Sequence, residues 1–313
     1  MKVLIIGAAG FVGTYLIQEL KKADDEIYVT KMPQEKIQTD GILQYNLDIL
    51  QLQQIRELFQ KVKPDYIYHL AAQSSVSVSW KNPNLTVDVN IKGVINVLDA
   101  VRECVPNARI LLIGSGEEYG HVKEGEIPIK EENVLRPGNI YAATKACQNM
   151  IGKIYSDAYD LDIMMARAFN HIGPNQTPLF VVADFCKQVA EIEVGKHDSC
   201  IRVGNLSAKR DFTDVRDVVR AYVLLMKYGK KGEIYNVGSG HAISIEDILR
   251  MILKKTNKKI QIVVEQEKMR PVDVPIIEAD VSALKYRTGW EKEISIEKTI
   301  EDTLHYWRKQ VSV

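Results

Sequence analysis

Val3-Leu4-Ile5-Ile6 is an unbroken apolar run at the start of the chain, the pattern of a strand covered on both faces. Val12, Leu16 and Leu20 then recur at four-residue spacing and predict a helix. Further strand-like runs lie at Ile27–Val29, Ile42–Leu47, Tyr66–Leu70, Arg109–Ile113 and Ile163–Arg167. Between them fall helical patterns over Leu50–Val62, about Gly93–Cys104, and from near Tyr141 to Tyr159. Strand and helix alternate throughout, which predicts an α/β fold with a parallel, doubly wound sheet.

After Arg167 the rhythm changes. Asn170–Gln176 reads as a loop by composition, and later segments such as Phe180–Val194 and Ile245–Thr256 mix helices with short strands. We expect a smaller α/β domain over the C-terminal edge of the sheet. The helix Val215–Tyr228 and the strand Ile234–Val237 return to the larger one. The expected division is residues 1–169 with about 214–238 against 170–213 with 239–313.

Composition narrows the partners. The chain has 313 residues, 46% hydrophobic, with Lys+Arg and Asp+Glu at 41 each. Net charge is therefore zero, and no global field recruits nucleic acid or an anionic membrane. An anionic ligand must be met by locally placed cations. No run approaches ~18 apolar residues, and the N-terminus shows no signal-peptide pattern. Cys104, Cys147, Cys186 and Cys200 lack CxxC spacing, so free thiols in a reducing, cytoplasmic compartment are expected. The six histidines show no HxxxH spacing, and no metal is expected.

Two motifs carry the chemistry. Gly7-Ala8-Ala9-Gly10-Phe11-Val12-Gly13 follows the first strand. A helix beginning there offers unpaired N–H groups and a dipole to a phosphate. Gly7 permits the tight turn, Gly10 a close pyrophosphate and Gly13 close packing of helix on strand. The spacing is GxxGxxG. The second strand ends Val29-Thr30-Lys31-Met32 with no acid, so Lys31 favours a 2′-phosphate and NADPH, with NADH still open. Lys31 can equally be an ordinary solvated residue. Asp48 can face an adenine amine or cap the helix beginning near Leu50.

Tyr141 and Lys145 lie four apart, on one helix face. A free phenol has a pKa near ~10, and a nearby ammonium is expected to lower it. An exposed Tyr/Lys pair is common, but Ser115, at the end of the strand Arg109–Ile113, brings a hydroxyl to the same sheet edge. It can polarise a carbonyl while Tyr141 delivers a proton.

This ordered set resembles the extended short-chain dehydrogenase/reductase family: GxxGxxG, His69-Leu70-Ala71-Ala72, Ser115 before Tyr119-Gly120, and Tyr141/Lys145. The resemblance spans essentially the whole chain. It implies a Rossmann-type domain with a smaller nucleotide-sugar-binding domain, and Ser115, Tyr141 and Lys145 as the catalytic set. It implies a cofactor cradle of Gly7, Gly10, Phe11, Val12, Gly13, Lys31, Asp48, Leu70, Ala71 and Ala72, completed by Tyr141 and Lys145. Asn170, Arg210 and Arg270 match positions facing a nucleotide diphosphate or base, and Asp273 one facing its ribose. Phe180, Val181 and Lys187 match a base pocket. Two arginine forks suit phosphate oxygens. A homodimer through about Gly93–Cys104 and Tyr141–Tyr159 is also implied.

The strings Phe169-Asn170-His171-Ile172-Gly173-Pro174, Glu117-Glu118-Tyr119-Gly120 and Lys209-Arg210-Asp211 look most like enzymes of GDP-sugars. The partner so implied is a GDP-linked 4-keto-6-deoxy sugar reduced at C4. Related 4,6-dehydratases place Ser or Asp, then Glu, after the catalytic Ser/Thr. Here Gly116 supplies no acid, while Glu117 remains as a base. That weakens a dehydratase, which like a 4-epimerase recycles its NAD. A reductase of this type usually has serine at Gly116, so the chain departs from that pattern too.

Overall fold

The computed structural model describes residues 1–269 and 274–312. The first half runs β1 (Lys2–Ile6), α1 (Phe11–Leu20), β2 (Glu26–Lys31), β3 (Leu43–Asn46), α2 (Leu52–Val62), β4 (Tyr66–His69), α3 (Val76–Lys81), α4 (Pro83–Val87), α5 (Gly93–Cys104), β5 (Arg109–Ser115) and α6 (Ile140–Tyr159). The second half runs β6 (Ile163–Ala168), β7 (Asn170–Ile172), α7 (Val181–Glu193), β8 (Cys200–Val203), β9 (Lys209–Asp214), α8 (Val215–Tyr228), β10 (Ile234–Val237), β11 (Ala242–Ser244), α9 (Ile245–Leu253), β12 (Gln261–Val264), β13 (Ile276–Ile277), α10 (Ser282–Thr288) and α11 (Ile296–Val311).

Seven strands form a parallel sheet in the order β10-β6-β5-β4-β1-β2-β3. The direction of winding reverses at β1, where Val3 pairs with Ile27 on one side and Tyr66 on the other. In such sheets the crevice beyond the strand ends at this reversal is where ligands bind. The apolar run at β1 has a direct cause. Val3 and Ile5 enter a core shared with α1 and α8, whereas Leu4 and Ile6 enter a second core shared with α2 and α5. Both faces of the strand are buried, so no polar residue interrupts it. A third core, including Phe185, Val189, Ile201, Ile248 and Leu304, packs the second half around β9, which pairs with β7, β11 and β13.

Two expectations change. Asn170–Ile172 is a strand, not part of a loop: it pairs in parallel with Phe212–Asp214. Three residues of mixed polarity show no period of their own, and pairing with β9 makes the strand. Gln73–Lys92, to which no element was assigned, forms α3, α4 and a π-helical turn running into α5. These short turns depend on side-chain caps, Ser75 accepting from Val78 N and Asn82 from Leu85 N.

The packing of α1 on β1 leaves no room at Gly13, where a β-carbon would stand 2.1 Å from the Ala8 carbonyl oxygen. The obstacle is backbone and cannot rotate away. Gly13→Ala is expected to destabilise the fold by at least ~2 kcal/mol, as overpacking of tight cores does. Urea unfolding checks this, and a midpoint equal to the parent's would refute it.

Candidate active site

The N-terminus of α1 is built to receive an anion. Gly7 adopts φ +82°, and a β-carbon there would stand 2.6 Å from Ala71 Cα. The turn is fixed by Gly7 N–H donating to Thr30 Oγ1 at 3.1 Å and Ala8 N–H to Thr30 O at 2.9 Å. Thr30 was not singled out in the sequence, because only the fold brings the end of β2 beneath the turn. Leu70 and Ala71 both donate to Ile6 O at 2.9 Å, which seats the His69–Ala72 segment against the glycines. Gly10 caps α1 without a side-chain bond, and the first turn carries no acid. A β-carbon at Gly10 would meet only Gly7 O, at 3.9 Å. The first N–H groups of the helix are thus open to an outside partner.

At the rim, Lys31 Nζ donates to Asn46 Oδ1 at 3.1 Å. Asp48 Oδ1 accepts from Leu50 N at 2.9 Å, closing a turn before α2 rather than capping the helix itself, whose N-cap is Gln51. Phe11 stacks on His171 of β7 with centroids 6.1 Å apart and planes 7° from parallel. Val12 packs against the first core.

Ser115, Tyr141 and Lys145 meet at the C-terminal end of β5, and all three are buried. Tyr141 opens α6, whose N-cap Asn139 accepts from Ala142 N at 2.8 Å. The Ser115 side chain lies near enough to the phenol to act on its proton. Burial pushes the phenol well above its ordinary pKa of 10, and the Ser115 side chain opposes this. The expected lowering by an ammonium is therefore reversed: desolvation penalises the phenolate more than its surroundings favour it. Lys145 Nζ donates to Ile113 O at 2.7 Å and Gln148 Oε1 at 2.9 Å. Burial lowers the Lys145 ammonium to about 8, with Glu118 pulling the other way. His69, beneath them, is lowered to about 3 by burial and by Lys145, so its ring is neutral.

Glu117 accepts from Asn139 Nδ2 at 3.2 Å beside this group. Gly116 faces the Phe169 ring, which a β-carbon would meet at 3.0 Å. Below lies a network not anticipated from the sequence. Glu118 is fully buried and paired with Arg167, whose Nε stands 2.9 Å from Oε2.

The remaining candidates spread over the second half. Asn170 lies on β7 opposite Phe212. Arg210, on β9, is buried, with Nη1 donating to Val274 O at 2.6 Å. Phe180 is the N-cap of α7 and Val181 its first residue. Lys187, two turns on, lies 3.7 Å from Glu191 and 5.9 Å over the Trp307 ring. Arg270 and Asp273 lie outside the described residues.

The family model for GDP-mannose 4,6 dehydratase matches residues 4–303. A GDP-6-deoxy-D-mannose reductase from Pseudomonas aeruginosa is 30% identical over 99% of this chain and 98% of its own. A human GDP-mannose 4,6 dehydratase is 26% identical over 96% of this chain and 90% of its own. The structure of RMD from Pseudomonas aeruginosa complexed with NADPH superposes with a TM-score of 0.88 at 29% identity, covering 99% of each chain. A UDP-glucose 4-epimerase from Thermus thermophilus complexed with NAD gives 0.88 at 27% identity, covering 98% of this chain and 99% of its own.

Lys145 supplies a stability test. Its folded pKa lies below the unfolded value of 10.5, so between about 8 and 10.5 the unfolded chain binds more protons. Stability from this group must rise with pH across that window. Relative to Lys145→Met, wild-type protein is expected to gain about 2–3 kcal/mol of unfolding free energy between about pH 7 and pH 10, at ~1.4 kcal/mol per unit. Paired urea titrations measure it, and a constant difference would contradict it.

Proposed function

The chain belongs to the GDP-mannose 4,6 dehydratase family of extended short-chain dehydrogenases/reductases, and on that premise we propose that it reduces the C4 keto group of GDP-4-dehydro-6-deoxy-D-mannose to give GDP-D-rhamnose, with NADPH as reductant. One observation carries the choice of reduction. Ser115 and Tyr141 lie together, buried, at the end of β5, while the position between Ser115 and Glu117 is a glycine with a phenyl ring against it. Carbonyl reduction needs one proton donor and one polarising hydroxyl, and both are present. Expulsion of a C6 hydroxyl is helped by a side chain at Gly116, and Gly116 supplies none, which weakens elimination. The full-length reductase relative and the NADPH complex support the same reading.

The residues fit a nicotinamide dinucleotide. The open first turn of α1 suits its pyrophosphate, and Lys31, at the end of β2, suits a 2′-phosphate. When bound, the nicotinamide supplies the hydride for the sugar carbonyl carbon. Tyr141 gives its phenol proton to the carbonyl oxygen, and Ser115 donates a hydrogen bond to that oxygen. The raised phenol pKa keeps Tyr141 protonated, which is the form a donor requires. Lys145 holds a positive charge nearby at neutral pH. Asn170, Arg210, Phe180, Val181 and Lys187 are proposed for the nucleotide-sugar side.

We further place the cofactor in the domain of residues 1–169 with 214–238, and the sugar nucleotide against 170–213 with 239–313. Free cysteines fit a cytoplasmic enzyme, and exposed Met150 and Ile154 on α6 fit a homodimer contact. The second reading is a redox-neutral dehydratase, favoured by Glu117 beside Ser115 as a base.

The decisive experiment incubates the protein with the 4-keto GDP-sugar and follows reduced-nicotinamide absorbance. Stoichiometric loss with GDP-rhamnose as product is expected; no reduction with either cofactor would sink the assignment. Tyr141→Phe is expected to lose ~10²–10⁴-fold in kcat while still binding cofactor. Unchanged turnover in that variant would remove Tyr141 from the mechanism.

A further inference from the structure

We propose that Glu118, paired with Arg167, is a positioning residue that holds the Ser115 turn and fixes the charge beneath Tyr141 and Lys145. This rests on the reading of Ser115, Tyr141 and Lys145 as the catalytic set.

Glu117 and Glu118 are adjacent in sequence and opposite in environment. The turn Gly116–Tyr119 directs Glu117 to the side of Asn139 and drives Glu118 into the interior. There Oε1 accepts from Ser115 N–H at 2.8 Å, and Ser115 Oγ accepts from Glu117 N–H at 3.2 Å. Asn149, two turns along α6 from Tyr141, donates to both carboxyl oxygens at 2.8 and 2.9 Å. Arg167 Nε donates to Oε2 at 2.9 Å from β6. Every contact made by the Glu118 carboxyl oxygens is donated to them. Burial pushes its carboxyl up and Arg167 opposes it, but a set made only of donors is satisfied by a carboxylate and not by a neutral acid.

The carboxylate thus joins the strand bearing Ser115 to the helix bearing Tyr141 and Lys145. Its charge also reaches them, raising the pKa of both. Arg167 approaches from β6 and is held further by Tyr119 OH and Glu131 O, both at 2.9 Å. The other titratable groups facing this cluster are Glu117 on the same turn, Glu131 before Arg167, His69 on the Lys145 side and Tyr222 on the Tyr141 side. Removing the Glu118 charge leaves Tyr141 and Lys145 with nothing from this carboxylate to retain their protons, so both must titrate at lower pH.

The test compares Glu118→Gln with the double variant Glu118→Gln/Arg167→Met, which leaves no buried charge unpaired. Expected for a folded variant are a kcat at least ~10-fold lower, KM for cofactor and sugar within about twofold, and an alkaline limb of the kcat profile moved to lower pH. Wild-type kcat with an unmoved limb in either folded variant overturns the proposal. So does a loss of folding in both, judged by circular dichroism, because the pair would then serve stability alone. Tyr141→Phe is assayed alongside: if it turns over normally, the catalytic set itself is wrong. If it is inactive while the Glu118 variants are normal, only the role given to Glu118 falls.

Discussion

A carboxylate and a guanidinium buried together must be satisfied at every donor and acceptor, or they destabilise the fold that contains them. Moving each ion out of water costs several kcal/mol, recovered only by good geometry and additional hydrogen bonds. Glu118 and Arg167 find most of their partners by drawing in much of the sheet's C-terminal edge. Glu118 takes the Ser115 amide from β5 and Asn149 from α6. Arg167 takes Tyr119 OH, which donates onward to Asn236 on β10 at 2.7 Å, and the Glu131 carbonyl of the connecting segment. The pair also explains a glycine. A β-carbon at Gly114 would stand 2.4 Å from both Glu118 Oε1 and Asn149 Nδ2.

A floor of this kind excludes water from the groups above it. The same dryness raises the Tyr141 phenol, weakens the hold of Lys145 on its proton and keeps the His69 ring neutral. Desolvation of three titratable side chains costs stability, as sites built for proton transfer commonly do. Of the three shifts, that of Tyr141 holds a proton in place: burial keeps the phenol protonated. A phenol with a lowered pKa would be poised to remove a proton, whereas a raised one arrives protonated. The balance between burial and nearby charge, not the presence of the lysine alone, sets the protonation of Tyr141.

The large sheet was legible because its central strands are buried on both faces and its helices on one, which writes two different periods into the sequence. The glycine turn was legible because φ +82° at Gly7 and close backbone approach at Gly13 admit few other residues. Strand β7 was not, since three residues take their conformation from a partner forty positions away. Glu118 was hidden by its neighbour. Two adjacent glutamates look alike until a tight turn sends one to Asn139 and the other to Arg167. Thr30 was hidden for a similar reason: its hydroxyl matters only because β1 and β2 lie side by side with their ends aligned. Arg167 was visible as the end of a strand pattern, yet its partner could be read only from the sheet order that sets β6 beside β5.

The same floor bears on the room left at Gly116. Phe169 follows β6 directly, its amide donating to Val237 O at 2.8 Å. Its ring packs 6.1 Å from the Tyr119 ring, and Arg167 anchors Tyr119. The phenyl against Gly116 is therefore held by the elements that the buried ion pair locks together. A side chain at Gly116 would need that ring to move, and the ring is coupled through Tyr119 to the pair beneath Ser115. Adjustments at this position thus act on a buried, hydrogen-bonded polar network rather than on an exposed loop. A β-carbon at Gly116 would meet the ring at 3.0 Å, so a ring held through Tyr119 and Arg167 must give by a few tenths of an ångström to admit one, which ties the chemistry available between Ser115 and Glu117 to the packing of the ion pair beneath them.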